Sequence, residues 1–442
     1  MKTRMDNVPL EQAAEIALQQ AKLLGATAAE VGVSHSTGLS VTVRQGETET
    51  LEHNNDTGLA LTVYLGQSKA SASTSDLRPE AIADTVKAAC DIAKYTQADD
   101  YAGLADKELM ATEFPDLSLY HPWDIDAEQA IVLATECEQA GRDVDAQISN
   151  SDGATLSTHE GGRVYANSHG FVGSTKSSRH SLSCTLIAND ESGMQRDYWY
   201  DIARAGGDLA SAQAIGQRAA KNTLARLNAR TVKTGSYPVI FAADIAPSLI
   251  GQLIGAIRGG ALYRKSSFLL DQLGEQIFPD FMHIHEQPYL LKGLGSCAFD
   301  GEGVITHARD IVKDGVLESY VLDSYSARKL NMTTTANSGG VHNLTVESGE
   351  HDFASLLKQL DTGIIVTETM GMGINIVTGD YSQGAAGFWV ENGEIQYPID
   401  EFTIAHNLRD MFMGIQAVGN DVELRGNTRT GSILLESMTV AS

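Results

Sequence analysis

Cysteine, cations and long apolar runs are all scarce in this chain. Its 442 residues hold four cysteines, Cys90, Cys137, Cys184 and Cys297, widely separated and without a CxxC pair. That spacing argues against a disulfide framework or a zinc ribbon and predicts buried, reduced thiols in a reducing compartment. No stretch reaches the roughly 18 apolar residues of a membrane span. The opening MKTRMDNVPLEQAAEIA carries no apolar core of signal-peptide length, so the expected location is cytoplasmic. Lysine and arginine number 32 against 57 acidic residues, a formal net charge of −25, and no basic cluster exceeds two residues. Nucleic-acid phosphates and anionic lipids both call for a basic face, so neither is an expected partner. Common catalytic signatures are missing too: there is no GxSxG, no phosphate loop ending in GK[ST] and no GxGxxG after a strand. Met370-Gly371-Met372-Gly373 lacks a third glycine and reads as a turn.

What remains is an ordinary folded composition, 42% hydrophobic and 20% charged, in a chain long enough for two to four domains. Apolar spacing predicts a helix over Leu10–Leu24, then strands at Ala29–His35, Leu39–Gln45, Thr48–His53, Gly58–Leu65 and Lys69–Ser75, then a helix over Glu80–Tyr95. The aperiodic stretch that follows reads as a linker. Asp126 with Gln129 forms a capping box for a third helix, and strands follow near Ala146–Ser151, Arg163–Asn167, His180–Asn189 and Gln195–Ala203. A turn at 189–193 separates the last two, and a helix over Ser211–Asn228 closes the segment. The expected class is α+β, with two smaller helix–sheet units followed by a large mixed α/β, β-rich C-terminal domain. The boundaries are 1–98, a linker at 99–124, 125–230 and 236–442. In the last part, Asp314-Gly315 and Asn392-Gly393 sit between apolar runs as type I′ hairpin turns. Ser355–Leu360 and Thr403–Ile415 read as helices and the final apolar run, 433–440, as a strand.

The stretch Asp244–Phe278 stands out as the frame of a site. It follows the buried-strand pattern Tyr237–Ala242, with Asp244 as N-cap, Pro247 in the first turn, and Ile245, Leu249, Leu253 and Ile257 at helical spacing. Gly259-Gly260 ends that helix and leads to Arg264-Lys265-Ser266-Ser267, a basic, hydroxyl-rich loop. This loop reads either as a solvated turn, with Ser267 capping a helix over Phe268–Gln276, or as an anion or carboxylate contact. His283-Ile284-His285-Glu286 is the densest group of possible ligands. Pro288 and Tyr289 spoil a zincin helix, and alternation places His283 and His285 on one strand face without an assignable third ligand.

Five stretches together resemble the TldD/TldE family of proteases, and within it the TldE (PmbA) branch. They are TGLALTVYLGQSKASASTSDL, ALYRKSSFLLDQLGEQIF, DGEGVITHARDIVKDGVLESYVLDSYSARKL, TGDYSQGAAGFWVENGEIQYPI and AVGNDVEL, in family order and spacing. The resemblance implies a cytosolic dimer whose C-terminal domain forms a groove for an extended, unfolded peptide. In the TldD branch the helix of the stretch Asp244–Phe278 carries His-Glu-x-x-x-His; the two histidines and a cysteine near the C-terminus hold zinc, and the glutamate is the base for the zinc-bound water. Anchored on Arg264-Lys265, the equivalent positions here are Gly251, Gln252 and Ala256, and the region 426–431 has no cysteine. The resemblance therefore implies no zinc bound by this chain. It points to a non-catalytic subunit acting with a TldD-like partner that holds zinc, with Arg264, Lys265, Ser266 and Ser267 as contacts for the peptide. Two alternatives stand beside it: a homodimeric peptide-binding protein without catalysis, and an autonomous metallopeptidase using His283, His285 and Glu286 or another, unrecognised metal site.

Overall fold

In the computed structural model, which describes residues 9–191 and 193–442, the first half of the chain builds one sheet. Helix α1 (Leu10–Leu23) leads to strands β1 (Ala28–Arg44), β2 (Glu47–Leu65) and β3 (Ser68–Thr74), closed by α2 (Pro79–Ala93). Helix α3 (Ala127–Arg142) leads to β4 (Ile148–Asn167), β5 (Val172–Asp190) and β6 (Gly193–Ala203), closed by α4 (Ala212–Ala225). Both helix–sheet units are thus present, but their strands merge into one antiparallel sheet of order β3-β2-β1-β4-β5-β6. The seam is β1 against β4, in register from Glu30↔Asn167 to Val43↔Ala154. Several pairs of expected strands are single long ones, because Ser36-Thr37-Gly38 and His159-Glu160-Gly161 stay in the ladder although they carry little apolar signal. Each unit keeps its own core on the same sheet face. Val31, Val33 and Val164 lie under α1 and α2. Val41, Leu156 and Leu186 lie under α3 and α4.

Local chemistry accounts for the helix ends. The Asp126 carboxylate accepts from Gln129 N at 2.8 Å while the Gln129 side chain accepts from Asp126 N, a full capping box. Ser211 caps α4. Helices α3 and α4 approach closely enough that a Cβ on Gly216 would lie 1.9 Å from the Cys137 carbonyl, so only glycine fits there. Ser192, in the expected turn before β6, lies outside the described residues.

The stretch 99–124 is irregular in backbone but not a free tether. Leu104, Ala105, Met110, Ala111 and Leu117 are buried. Ala111 N donates to Gly303 O and Ile305 N to Leu109 O, and Arg328 donates to the carbonyls of Tyr101, Gly103 and Leu104. It is strapped onto the C-terminal part.

That part begins with β7 (Gly235–Phe241), α5 (Ala246–Ile257) and α6 (Gly259–Tyr263). Then come β8 (Ile284–Glu286), β9 (Arg309–Lys313), β10 (Val316–Leu317), α7 (Ser324–Lys329), β11 (Leu344–Val346) and α8 (Phe353–Leu360). Strands β12 (Gly363–Met370), β13 (Ile374–Asn375), β14 (Asp380–Glu391) and β15 (Glu394–Asn407) follow, then α9 (Leu408–Met413), β16 (Ile415–Val418), β17 (Thr428–Arg429) and β18 (Ile433–Ala441). They form a five-stranded sheet, β10-β9-β8-β11-β17, and a larger sheet with the path β12-β7-β18-β15-β14-β13. Both expected hairpin turns are there, with positive φ at Asp314, Gly315, Asn392 and Gly393. The helix expected over Thr403–Ile415 is only Leu408–Met413. Residues 403–407 instead continue β15, because pairing with β14 and β18 overrides their helical spacing.

Candidate functional site

The frame around α5 rests on β7, whose Val239, Ile240 and Phe241 are buried between β12 and β18. Helix α5 turns Leu249, Ile250, Leu253 and Ile257 into the same core. Pro247 sits in its first turn, as the sequence predicts, but Asp244 does not cap it. The N-cap is Ile245, without a side-chain bond, and Ala246 N and Ile245 N both donate to Ala242 O. Gly259-Gly260 does not end the helix either. The break is Arg258, whose extended backbone bridges to Val321, and Gly259 opens α6. A Cβ at Gly259 would lie 2.1 Å from Ser326 Oγ, so glycine there serves the contact between α6 and α7.

The outward side of α5 is open. Gly251 is exposed, and a Cβ there would meet nothing within 4 Å. Gln252 is half-buried, its amide donating to Ser248 O at 3.3 Å, and Gly255 faces Ile376. Ala256 points the other way and is fully buried. At the positions equated with the two histidine ligands the structure therefore offers a glycine and a buried methyl, and at that of the glutamate base an amide. A zinc ion needs imidazole, thiolate or carboxylate donors, and these residues do not fit it. In the C-terminal segment near α5 stands Arg429, whose Nε is buried without a hydrogen-bond partner.

The loop after α6 divides into two pairs. Lys265 N donates to Leu262 O at 2.9 Å and Ser266 N to Ala261 O at 2.8 Å, a Schellman closure with Lys265 in the left-handed region at φ 55°. Arg264 and Lys265 are exposed, Arg264 resting on Tyr263 with Nη1 donating to its hydroxyl at 3.0 Å. Ser266 Oγ turns back to Arg264 O. Ser267 is buried: its hydroxyl donates to Ala256 O at 2.7 Å and accepts from Leu269 N at 3.0 Å. Ser267 thus satisfies the last turn of α5 and has no hydroxyl capacity aimed at a groove. The expected helix over Phe268–Gln276 is a run of turns with positive φ at Asp271 and Gly274, tied down by Phe268 N to Ile376 O.

The histidine cluster separates. His283, just before β8, and His285, within it, are both half-buried, with His283 Nε2 3.3 Å from Asp314 and His285 Nδ1 4.0 Å from Glu347. Glu286 points to the opposite, buried face. There Arg309 Nε donates to its Oε2 at 2.8 Å, while Asn337 Nδ2 and His342 N donate to Oε1. Among the described residues, no group of three or more His, Cys, Asp or Glu converges on one point. Met370–Gly373 is the turn expected of it: a Cβ on Gly373 would lie 1.9 Å from Ser382 O.

Sequence reasoning passed over Glu302. It is half-buried, accepts from Ser324 N at 3.0 Å, and burial, with Asp300 adding, pushes its carboxyl up to about 7. Nothing in its local sequence signals this, because the burial comes from parts distant in the chain. Cys297 likewise pairs with His342 Nδ1 at 3.1 Å, and burial first, then Asp300 and Glu286, push its thiol up to about 12.

The architecture is a helix-backed antiparallel sheet joined to a β-rich C-terminal domain that presents an exposed helix face beside a cationic loop. Comparison with known proteins is specific. The model of the PmbA/TldA metallopeptidase C-terminal domain matches residues 234–442, the central domain 120–227, and domain 1 residues 29–93. Metalloprotease PmbA of Escherichia coli O157:H7 is 51% identical over 98% of this chain and 96% of its own length. A PmbA homolog of Haemophilus influenzae is 50% identical over the same shares. The chain belongs to the PmbA/TldD family. Among solved structures, a Bacteroides thetaiotaomicron protein described as a candidate modulator of DNA gyrase superposes with a TM-score of 0.93 at 30% identity over 98% of each chain. TldE of Thermococcus kodakarensis shares the fold, with a TM-score of 0.84 at 19% identity over 97% of this chain and all of its own. No helix among the described residues is long and apolar enough to cross a membrane.

Proposed function

We propose that this chain is the non-catalytic subunit of a zinc peptidase that processes unfolded peptides, acting in the cytoplasm with a TldD-like partner. The observation that carries the reading is the α5 frame: a helix with an open face and a flanking cationic loop, in which the positions of the family's two histidine ligands and its glutamate base hold Gly251, Ala256 and Gln252. Zinc bound by the partner would supply the Lewis acid for peptide-bond hydrolysis. This chain would contribute a groove wall. Exposed strand edges hold an extended peptide through its backbone whatever its sequence, and Arg264 and Lys265 draw carboxylates toward the open face of α5. Ser266 lines the rim beside them, and Ser267 keeps the loop in place from beneath.

The test is to mix the purified chain with its TldD-like partner. Zinc-dependent cleavage of unfolded peptides should need both chains. Equal cleavage by the partner alone would overturn the reading. Peptide binding without turnover in the presence of the partner would favour a binding protein instead.

A further inference from the structure

One strand edge of the six-stranded N-terminal sheet is left bare. Strand β2 pairs with β1 along its whole length, from Glu47↔Arg44 to Ala28↔Tyr64, but β3 covers only Leu59–Leu65 on its other side. Residues 47–56, ETETLEHNND, therefore form an outer edge for ten residues, and all ten are exposed. On such an edge every second residue turns both its N–H and C=O away from the sheet, a ready template for another strand. Native proteins shield an edge of this length with proline, a covering element or charge. Here there is no proline and, among the described residues, no cover, only charge, and that charge has one sign. Glu47, Glu49, Glu52 and Asp56 lie within the ten residues, and no lysine or arginine does. The nearest cation is Arg44 on β1, 3.5 Å from Glu49.

This pattern discriminates between occupants. A second copy of this chain pairing edge to edge would gather four carboxylates from each copy into one two-stranded ribbon with no cation, and like charges on facing strands oppose pairing. A sequence-tolerant peptide site would gain nothing from fixed charge spread along ten residues. We infer that the β2 edge at 47–56 is the docking strand for a partner protein, which adds an antiparallel strand carrying lysine or arginine opposite these acids. Resting on the function proposed above, that partner is the TldD-like chain, and the acids select it over self-association.

The experiment uses the full chain and the TldD-like chain of the same organism. Hydrogen exchange of the amides in 47–56 should slow at least tenfold when the partner is added. The charge-reversed variant E49K/E52K should bind the partner at least tenfold more weakly, with unchanged circular dichroism and melting temperature. The neutral variant E49Q/E52Q should fall between the two and show a shallower salt dependence. Undiminished binding by E49K/E52K with no added protection of 47–56 overturns the edge assignment while leaving the partnership standing. Failure of the unmodified chain to bind the partner overturns both. A wild-type homodimer protected at 47–56 overturns the charge selection.

Discussion

Replacing Arg309 with methionine should be among the most destabilising single changes in the C-terminal part. The Glu286 side chain is 2% exposed and that of Arg309 10%, so both ends of this pair are out of water. Arg309 Nε is the donor to Glu286 Oε2, and its other nitrogens bond Ser319 Oγ, Tyr320 O and Asn337 Oδ1. Methionine conserves much of the aliphatic volume but strands Oε2 as an uncompensated buried charge. Removing one partner of a buried pair costs roughly 3–5 kcal/mol. Oε1 keeps its bonds from Asn337 and His342, which places this case near 3 kcal/mol by the same scale. Urea unfolding at neutral pH, with the denaturant slope unchanged, measures the loss. The decisive arm is the double variant R309M/E286Q. A neutral amide at 286 still accepts from Asn337 and His342 but carries no charge, so the double variant should recover about 1–2 kcal/mol relative to R309M. If E286Q instead adds its own loss to that of R309M, buried charge is not what Arg309 compensates, and the reasoning fails.

Three further outcomes follow from the same structure. The Glu302 carboxyl titrates near its ordinary 4.5 in the unfolded chain and near 7 when folded, so the folded state binds the proton more tightly. Its contribution to stability is present below the unfolded value, is lost as pH rises toward 7 and stays lost above. E302Q should therefore gain about 3 kcal/mol over wild type at pH 8 and little at pH 4, read as the difference between their urea midpoints. Lys265→Gly relieves a left-handed backbone at φ 55° and should stabilise by about 1 kcal/mol in thermal unfolding, while weakening capture of acidic peptides if the loop lines the groove. Cys90, Cys137 and Cys184 are buried and the Cys297 thiol is held up near 12, so native protein at pH 8 should show no fast thiol toward Ellman's reagent, against four after denaturation. A fast native thiol would contradict the packing around Cys297 and His342.

The parts of the fold legible in the sequence are those set by local chemistry. The Asp126–Gln129 capping box, the Asp314-Gly315 and Asn392-Gly393 turns and the apolar stripe of α5 depend on residues a few positions apart, and each formed as read. Errors arose where distant partners decide. Residues 403–407 carry helical spacing but are held in β15 by strands on both sides. Ser36–Gly38 looks like a break yet stays in the ladder because β2 and β4 flank it. At the site, burial was the hidden variable. Ser267 and Arg264 are three residues apart in one hydroxyl-rich basic loop, and only the packing of α5 separates a core hydroxyl from an exposed cation. His285 and Glu286 looked like a ligand pair by composition, but strand alternation sends them to opposite faces. The bare edge did leave a trace, since ETETLEHNND has one apolar residue and so no face for a core.

The distribution of cations explains why so acidic a chain still has usable positive sites. With 32 lysines and arginines against 57 acids, carboxylates outnumber cations by nearly two to one. Yet one buried arginine, Arg204, and three half-buried ones sit at seams between parts of the chain. Arg226 joins α4 to Glu368 of β12, Arg204 donates to Gly293 O and Leu294 O, Arg328 holds the strap at 101–104, and Arg425 donates to Tyr200 O and lies 3.6 Å over Trp199. A delocalised guanidinium suits this work, because it can bond several carbonyls while partly desolvated. These contacts fasten the helix-backed sheet to the C-terminal sheets, so the β2 edge and the open face of α5 belong to one framework. On that framework the two exposed features carry opposite charge, acidic at 47–56 and basic at Arg264-Lys265. Under the proposed function, an anionic peptide would be repelled where a cationic partner strand is attracted, so the electrostatics that selects the partner would also keep the substrate off the proposed docking edge.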